Sequence, residues 1–157
     1  MIYSAFLHEN RSQSRKNAVF CLLCEYVFLV LCVTIVCRPS TLEHSYRIIP
    51  FTTYIELFIT EKSYLPLVIL KEISMNTLLF FPVGLLLGCI KITWRRVICV
   101  AIGLALAIEI LQFVTCKGCC ESNDVIHNTI GALLVFFMIR WLINIIRIIR
   151  NKYYAQT

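Results

Sequence analysis

Residues 97–114, VICVAIGLALAIEILQFV, decide the fold of this 157-residue chain. The stretch has the length of a helix that crosses the hydrocarbon core of a bilayer, which takes about 17–25 mostly apolar residues. Its polar positions Glu109 and Gln112 lie three residues apart and therefore share a helix face. A carboxylate in hydrocarbon costs roughly 2.5–3.5 kcal/mol, so such residues usually face a partner or a water-filled cavity. The stretch predicts a membrane-spanning helix that carries part of a polar site.

Three further apolar runs lie at residues 18–37, 74–92 and 125–137. The whole chain is 59% hydrophobic and 15% charged, with a mean hydropathy of +0.80, whereas a soluble domain is about half apolar and a quarter charged. We predict an all-α polytopic membrane protein, with residues 1–157 forming one domain built as a four-helix transmembrane bundle. The first run follows basic residues as a signal peptide would, but it has no clear small-residue cleavage site, so we interpret it as an uncleaved anchor.

The lysines and arginines predict the orientation of the bundle. Most of them lie in the N-terminal segment, in loop 91–96 and in the C-terminal tail, whereas loops 38–73 and 115–124 hold six of the nine acidic residues. We expect a protein of the cytoplasmic membrane with both termini cytoplasmic. The net charge of +6 requires no nucleic acid, because basic residues beside spans attract anionic lipid headgroups. We expect the tail, residues 141–157, to lie along that interface.

A second polar cluster opens the fourth apolar run. Asp124, His127, Asn128 and Gly131 recur at i, i+3, i+4 and i+7, so they share one helix face. In the predicted topology this face lies in the outer leaflet, together with the polar face of the third helix and with Asn76 of the second. Amides can also serve as hydrogen-bonding glue between membrane helices, which is the alternative to a binding site.

The second run contains residues that change helix shape. Pro82 removes a backbone hydrogen bond and predicts a kink. Gly84 provides a position of close helix approach, as does Gly131 in the fourth run, and both suit either packing or the shaping of a cavity. Loop 38–73 is long and partly apolar, so we expect interfacial or re-entrant helical pieces over the outer mouth, one of them beginning near Pro50.

Cysteine is frequent, with nine residues, and most lie in or near spans, where cysteine behaves as a small hydrophobe. Cys116 and Cys119 differ, because they form a C-x-x-C in the short outer loop, a spacing used by redox pairs and zinc sites. Zinc takes four ligands and too few lie nearby, so we expect no metal and no other cofactor. A structural disulfide between Cys116 and Cys119, or free thiols, is favoured over redox catalysis. Loop 38–73 has no second cysteine pair of the kind that quinone-linked disulfide-generating enzymes carry.

Several segments resemble the VanZ-like family of membrane proteins. Residues 76–84, NTLLFFPVG, resemble its N-x-x-L-F-x-P-x-G signature. Glu109-x-x-Gln112 followed by residues 124–131, DVIHNTIG, resembles its E-x-x-Q and D-x-x-x-N-T-x-G elements, and residues 49–51 resemble a preceding P-F element. The resemblance is strongest over residues 48–135. It departs at Lys117, where an arginine is frequent, and in the acidic run 121–124, where adjacent aspartates are frequent.

The resemblance implies a cell-envelope protein associated with resistance to the glycopeptide teicoplanin. Combined with the polar clusters, it suggests an outer-leaflet pocket that binds an amphipathic ligand, such as a lipid-linked envelope precursor or a lipoglycopeptide, beside membrane lipids. The expected ligand-binding residues are Asn76, Glu109, Gln112, Asp124 and Asn128. The alternative hypothesis is a membrane enzyme acting on an envelope lipid or precursor, with Glu109, Asp124 and His127 as acid–base groups. The oligomeric state stays open.

Overall fold

The computed structural model describes residues 2–37, 39–40, 44–59 and 65–155. The elements within these ranges follow in the order α1 (Ile2–Leu31), a π-helical turn (Cys32–Val36), β1 (Ser45–Arg47), α2 (Thr52–Ile59), α3 (Leu65–Leu79), α4 (Phe81–Gly88), α5 (Trp94–Val114), β2 (Cys119–Glu121) and α6 (Ser122–Tyr154). The helical stretches long and apolar enough to cross a membrane are Gln13–Val36, Pro66–Gly88, Trp94–Val114 and Ser122–Tyr154. The predicted helical, four-span fold class is confirmed.

The second span is broken between α3 and α4. Phe80 leaves the helical conformation, with φ −101° and ψ 4°, and Pro82 lies in the first turn of α4. Proline has no backbone N–H to donate to the preceding turn, so the helix is interrupted before it. The predicted change of helix direction therefore falls at Phe80, two residues before Pro82. The Tyr26 hydroxyl of α1 donates to the Leu79 carbonyl at the break. The span begins well before residue 74, because the charged residues at 71–72 end the apolar run without ending the helix.

Helix α6 continues far beyond the predicted end of the fourth run. Its 33 residues extend without a break to Tyr154, which is about 50 Å at 1.5 Å per residue and exceeds the roughly 30 Å hydrocarbon core. The tail that we expected along the interface therefore continues the fourth span as one helix.

Helix α6 also packs against α3, α4 and α5. The buried core contains Val83 and Leu87 of α4, Ala101 and Ala105 of α5, and Phe136 of α6. The alanines recur every four residues and let the backbones approach closely, as is typical of membrane helices. Large apolar side chains such as Phe28, Leu67 and Leu134 are exposed on the outward faces, where a bilayer would contact them.

The two loops that were predicted to be outside are joined by a short parallel sheet, which sequence patterns did not predict. Ser45 pairs with Cys119, Tyr46 with Cys120 and Arg47 with Glu121. Strands of three residues are too short to show alternation, so the pairing had no detectable signal. The helical pieces expected in loop 38–73 are present as α2 and the start of α3. Helix α2 begins two residues after Pro50.

Candidate functional site

Polar and charged side chains collect at the end of the bundle where β1, α2 and β2 lie, which we call the loop end. They form one group, the polar cluster, drawn from α2, α3, α5, β2 and α6. Its members are Tyr54, Glu72, Asn76, Glu109, Gln112, Glu121, Asn123, Asp124, His127 and Asn128.

Helices α3 and α6 are linked by a contact between two predicted site residues. The side-chain amide of Asn76 donates to Oδ1 of Asp124. Asp124 lies in the first turn of α6, where free N–H groups favour a carboxylate. Two turns later, a Cβ on Gly131 would lie 2.5 Å from the Thr77 carbonyl oxygen. Only glycine permits this approach, which brings Asn76 within reach of α6.

Glu109 holds the strand-to-helix junction. Its side chain is only 3% exposed, and Oε2 accepts a hydrogen bond of 2.8 Å from the backbone N–H of Glu121. Gln112 is equally buried one turn later. The Gln112 carbonyl accepts the N–H of Lys117 at 3.0 Å, which turns the chain back toward β2. The Glu109 carboxylate thus lies inside the protein and anchors the loop that contains the acidic run.

Tyr54 approaches His127 from α2, with its hydroxyl oxygen 3.3 Å from Nε2. Burial, together with the negative charges of Glu72, Asp124 and Glu121, raises the pKa of Tyr54 to about 12. The hydroxyl therefore stays protonated at neutral pH and can donate to Nε2. In that arrangement the imidazole proton is on Nδ1, and Nδ1 is buried with no hydrogen-bond partner in the described part of the chain.

Three carboxylates converge beside this pair. One oxygen from each of Glu72, Glu121 and Asp124 lies within 4.8 Å of the others. Carboxylate oxygens are the ligands of hard divalent cations, so these are the described residues best suited to a metal. The guanidinium of Arg47 already compensates part of the charge, because its Nη1 lies 3.3 Å from Oε1 of Glu121.

Two asparagines of α6 are buried with different outcomes. Asn123 is 3% exposed, and its Oδ1 accepts the N–H of Phe51 at 2.9 Å. This bond holds the turn before α2, where Phe51 has a φ of 65°. Asn128 is 2% exposed, and its Oδ1 has no hydrogen-bond partner among the residues described. Asn123 is therefore structural, whereas the side-chain oxygen of Asn128 can still accept a hydrogen bond.

Sequence reasoning missed several members of the polar cluster. Tyr54 lies in loop 38–73, where no helical period relates it to the other polar residues. Glu72 lies four residues before Asn76 on α3, and this spacing places both on one helix face and could have found it. Asn123 precedes Asp124 at the start of the fourth run, and short polar residues before an apolar run signal a helix start. That signal could have found Asn123 but could not have shown its contact with Phe51.

The two thiols of the C-x-x-C, which lies at the loop end, have different neighbours. No disulfide bond joins Cys116 to Cys119 in the structure, which corresponds to the thiol alternative considered for them. The sulfur of Cys116 lies 3.2 Å from Nδ1 of His44, and the Ser45 hydroxyl donates to the sulfur of Cys119 at 3.2 Å. Burial raises the pKa of the Cys119 thiol and of its neighbour Cys120. A raised pKa lowers the thiolate fraction and hence the reactivity needed for redox catalysis.

Four apolar spans with a polar cluster at one end define a multi-pass membrane protein. A family model described as VanZ/LLP1 matches residues 19–145. The chain belongs to the VanZ/LLP1 family, as the resemblance of its motifs predicted, and the match extends on both sides of residues 48–135. No curated protein and no solved structure matches the chain significantly.

Proposed function

We propose that this VanZ/LLP1-family protein resides in the cytoplasmic membrane and binds the polar part of an amphipathic or lipid-linked envelope molecule at its polar cluster. Both termini are cytoplasmic in this proposal, which places the loop end at the outer leaflet. The support is the distribution of lysine and arginine, which favours the cytoplasmic side. VanZ-like proteins are associated with resistance to teicoplanin, and such resistance is the proposed physiological consequence of this binding.

One observation carries the binding proposal. Three buried polar atoms of the cluster, Oε2 of Glu121, Nδ1 of His127 and Oδ1 of Asn128, have no hydrogen-bond partner among the described residues. Leaving such a group unsatisfied costs about 1–3 kcal/mol. A molecule with hydroxyl and amide groups both donates and accepts hydrogen bonds, so it can satisfy all three atoms. In a low-dielectric setting each of these bonds counts for more than in water.

The predicted ligand-binding residues divide into two roles in this proposal. Asn76, Glu109 and Asp124 hold the helices and the loop in register through the hydrogen bonds described above. Asn128 supplies contacts to the bound molecule. His127, which was not among the predicted ligand-binding residues, supplies a further contact. Gln112 is buried one turn from Glu109.

The test uses a teicoplanin-sensitive host that expresses the protein. We expect the wild type to raise the inhibitory concentration of teicoplanin, and Asn128→Leu and His127→Phe to abolish that increase at an equal membrane level. Asn144→Leu is the matched control, because Asn144 is exposed on the same helix. Full protection by both Asn128→Leu and His127→Phe would overturn the role of the cluster.

An enzymatic function is the second candidate, and the acidic group beside Tyr54 and His127 favours it. Carboxylates and an imidazole in one place can donate and accept the protons that hydrolysis or group transfer requires. Membranes expressing the wild type or Asp124→Asn, analysed by mass spectrometry of extracted lipids, distinguish the two functions. A product present with the wild type and missing with Asp124→Asn would establish an enzyme. Identical lipid profiles, combined with the teicoplanin phenotype, would favour binding.

A further inference from the structure

A basic cavity lies at the opposite end of the bundle from the polar cluster. Its volume is about 440 Å³, and it is an open cavity lined by α1, the segment after α4 and the C-terminal half of α6. Sixteen residues separate Asp124 from Arg140 on α6, which is about 24 Å of helix. The basic residues that line it are Arg15, Lys16, Lys91, Arg140, Arg147 and Arg150.

The charge of this cavity is one-sided. None of the described residues that line it is acidic, so the six cations have no protein counter-charge within the lining. Like charges around one cavity repel each other, and salt in the solvent screens only part of that repulsion. A multivalent anion inside the cavity would turn the repulsion into attraction.

Arg140 shows how the cavity is organised. Its Nη1 donates to the Ile90 carbonyl at 3.4 Å, just past the end of α4, where unpaired carbonyls carry partial negative charge. Arg147 lies seven residues further along α6 and therefore on the same face. Ile143 lines the cavity between them, and Ile90 lines it from the α4 side. The lining thus combines guanidinium groups with a small apolar surface.

We propose that this basic cavity binds a phosphate-bearing anion. Guanidinium groups form paired hydrogen bonds with phosphate oxygens, and their charge persists at any physiological pH. The volume falls within the roughly 300–1,000 Å³ of small-molecule sites, which accommodates a phospholipid headgroup or a soluble pyrophosphate. The apolar lining and the adjacent spans, which begin at Gln13 and Trp94, suit the headgroup in particular. This site is independent of the function proposed for the polar cluster.

Two probes distinguish the sources of the phosphate. Purified protein in phosphatidylcholine nanodiscs is titrated with pyrophosphate. In parallel, protein is reconstituted in an equimolar mixture of phosphatidylcholine and phosphatidylglycerol and then delipidated stepwise. The lipids that it retains are measured by native mass spectrometry. Binding of pyrophosphate alone indicates a soluble anion, and selective retention of phosphatidylglycerol indicates a headgroup. Either result supports the proposal, and the absence of both overturns it.

Substitutions tie the binding to the cavity. We expect Lys91→Gln and Arg147→Gln each to weaken binding of the successful probe about tenfold, as loss of one charge-assisted contact predicts. Lys152→Gln, which removes a charge from the exposed face of α6 outside the cavity, is the matched control and should change it less than about twofold. All three side chains are exposed, so circular dichroism should show unchanged helix content. An equal loss with Lys152→Gln would reduce the effect to general surface charge and overturn the proposal.

Discussion

The side-chain amide of Asn76 on α3 hydrogen-bonds to the carboxylate of Asp124 in the first turn of α6, although 48 positions separate the two residues. This contact joins the N-x-x-L-F-x-P-x-G segment to the D-x-x-x-N-T-x-G segment. Two motifs that are distant in the sequence are therefore parts of one arrangement at the loop end of the bundle.

The Asn76–Asp124 bond should contribute measurably to stability. We expect Asn76→Ala and Asp124→Ala each to lower the free energy of unfolding in detergent micelles by about 1–3 kcal/mol. Each substitution removes the hydrogen bond that the other, partly buried polar side chain makes with it. The double variant should lose less than the sum, with a coupling energy of at least about 0.5 kcal/mol. Asn144→Ala on the exposed face of α6 is the control. Strict additivity of the two substitutions would contradict a direct interaction.

The glycines of the bundle should differ sharply in their tolerance of alanine. A Cβ on Gly131 would collide with the Thr77 backbone, whereas a Cβ on Gly103 has no neighbour within 4 Å. We expect Gly131→Ala to separate α3 from α6 and destabilise the protein. Gly103→Ala should be neutral or stabilising by up to about 1 kcal/mol, because alanine favours the helix. Thermal unfolding in detergent measures both, and equal effects would show that the close approach at Thr77 is not required.

Tyr54 should make the protein less stable in alkali. Its folded pKa of about 12 lies above the ordinary value of 10.0, so the unfolded chain releases the proton first. Below pH 10 the hydroxyl is neutral in both states and its contribution is fully present. As the pH rises from 10 toward 12, the unfolded state binds fewer protons and stability falls. Unfolding midpoints over this range should decline less steeply for Tyr54→Phe than for the wild type, and parallel curves would refute the burial of Tyr54.

The thiols of the C-x-x-C at the loop end should not be joined to each other, and the Cys119 thiol should react slowly. We expect the unfolding temperature to be the same with and without a reductant, because no disulfide bond joins Cys116 to Cys119 in the structure. Peptide mapping after alkylation should show Cys119 reacting more slowly than an unstructured thiol at the same pH, since its raised pKa leaves less thiolate. A peptide linked through Cys116 and Cys119 in the non-reduced digest would contradict this state.

Hydropathy was sufficient to place the spans but not all of their ends. The third span, Trp94–Val114, agrees within three residues with the apolar run at 97–114. Its helix is bounded by the polar residues Thr93 and Thr115, which also flank the apolar stretch. The second span starts earlier, since a helix tolerates charged residues that a hydropathy run does not. The fourth continues to Tyr154, because helical hydrogen bonds extend into a segment whose arginines end the apolar run.

The candidate site was predictable only where helix periodicity relates its members. Spacing placed Asp124, His127 and Asn128 on one face, and all three are members of the polar cluster. No periodicity relates Tyr54 to that face, because its position depends on how loop 38–73 folds back. Glu72 and Asn76 share a face of α3, but that spacing does not show which face of α6 they meet. The C-x-x-C spacing of Cys116 and Cys119 left a disulfide and free thiols equally open, since spacing alone cannot give the direction of a side chain.

The sequence by itself determined that this protein has four helices long and apolar enough to cross a membrane, that polar residues share faces of the third and fourth of them, and that it carries the motifs of the VanZ/LLP1 family. These properties depend on composition and on short-range spacing, which are local. The tertiary structure alone decided which partners the polar groups take: Asn76 with Asp124, Glu109 with the backbone of Glu121, and Tyr54 with His127. Those contacts depend on the close approach of α3 to α6 at Gly131 and on the pairing of β1 with β2, which join residues from distant parts of the chain.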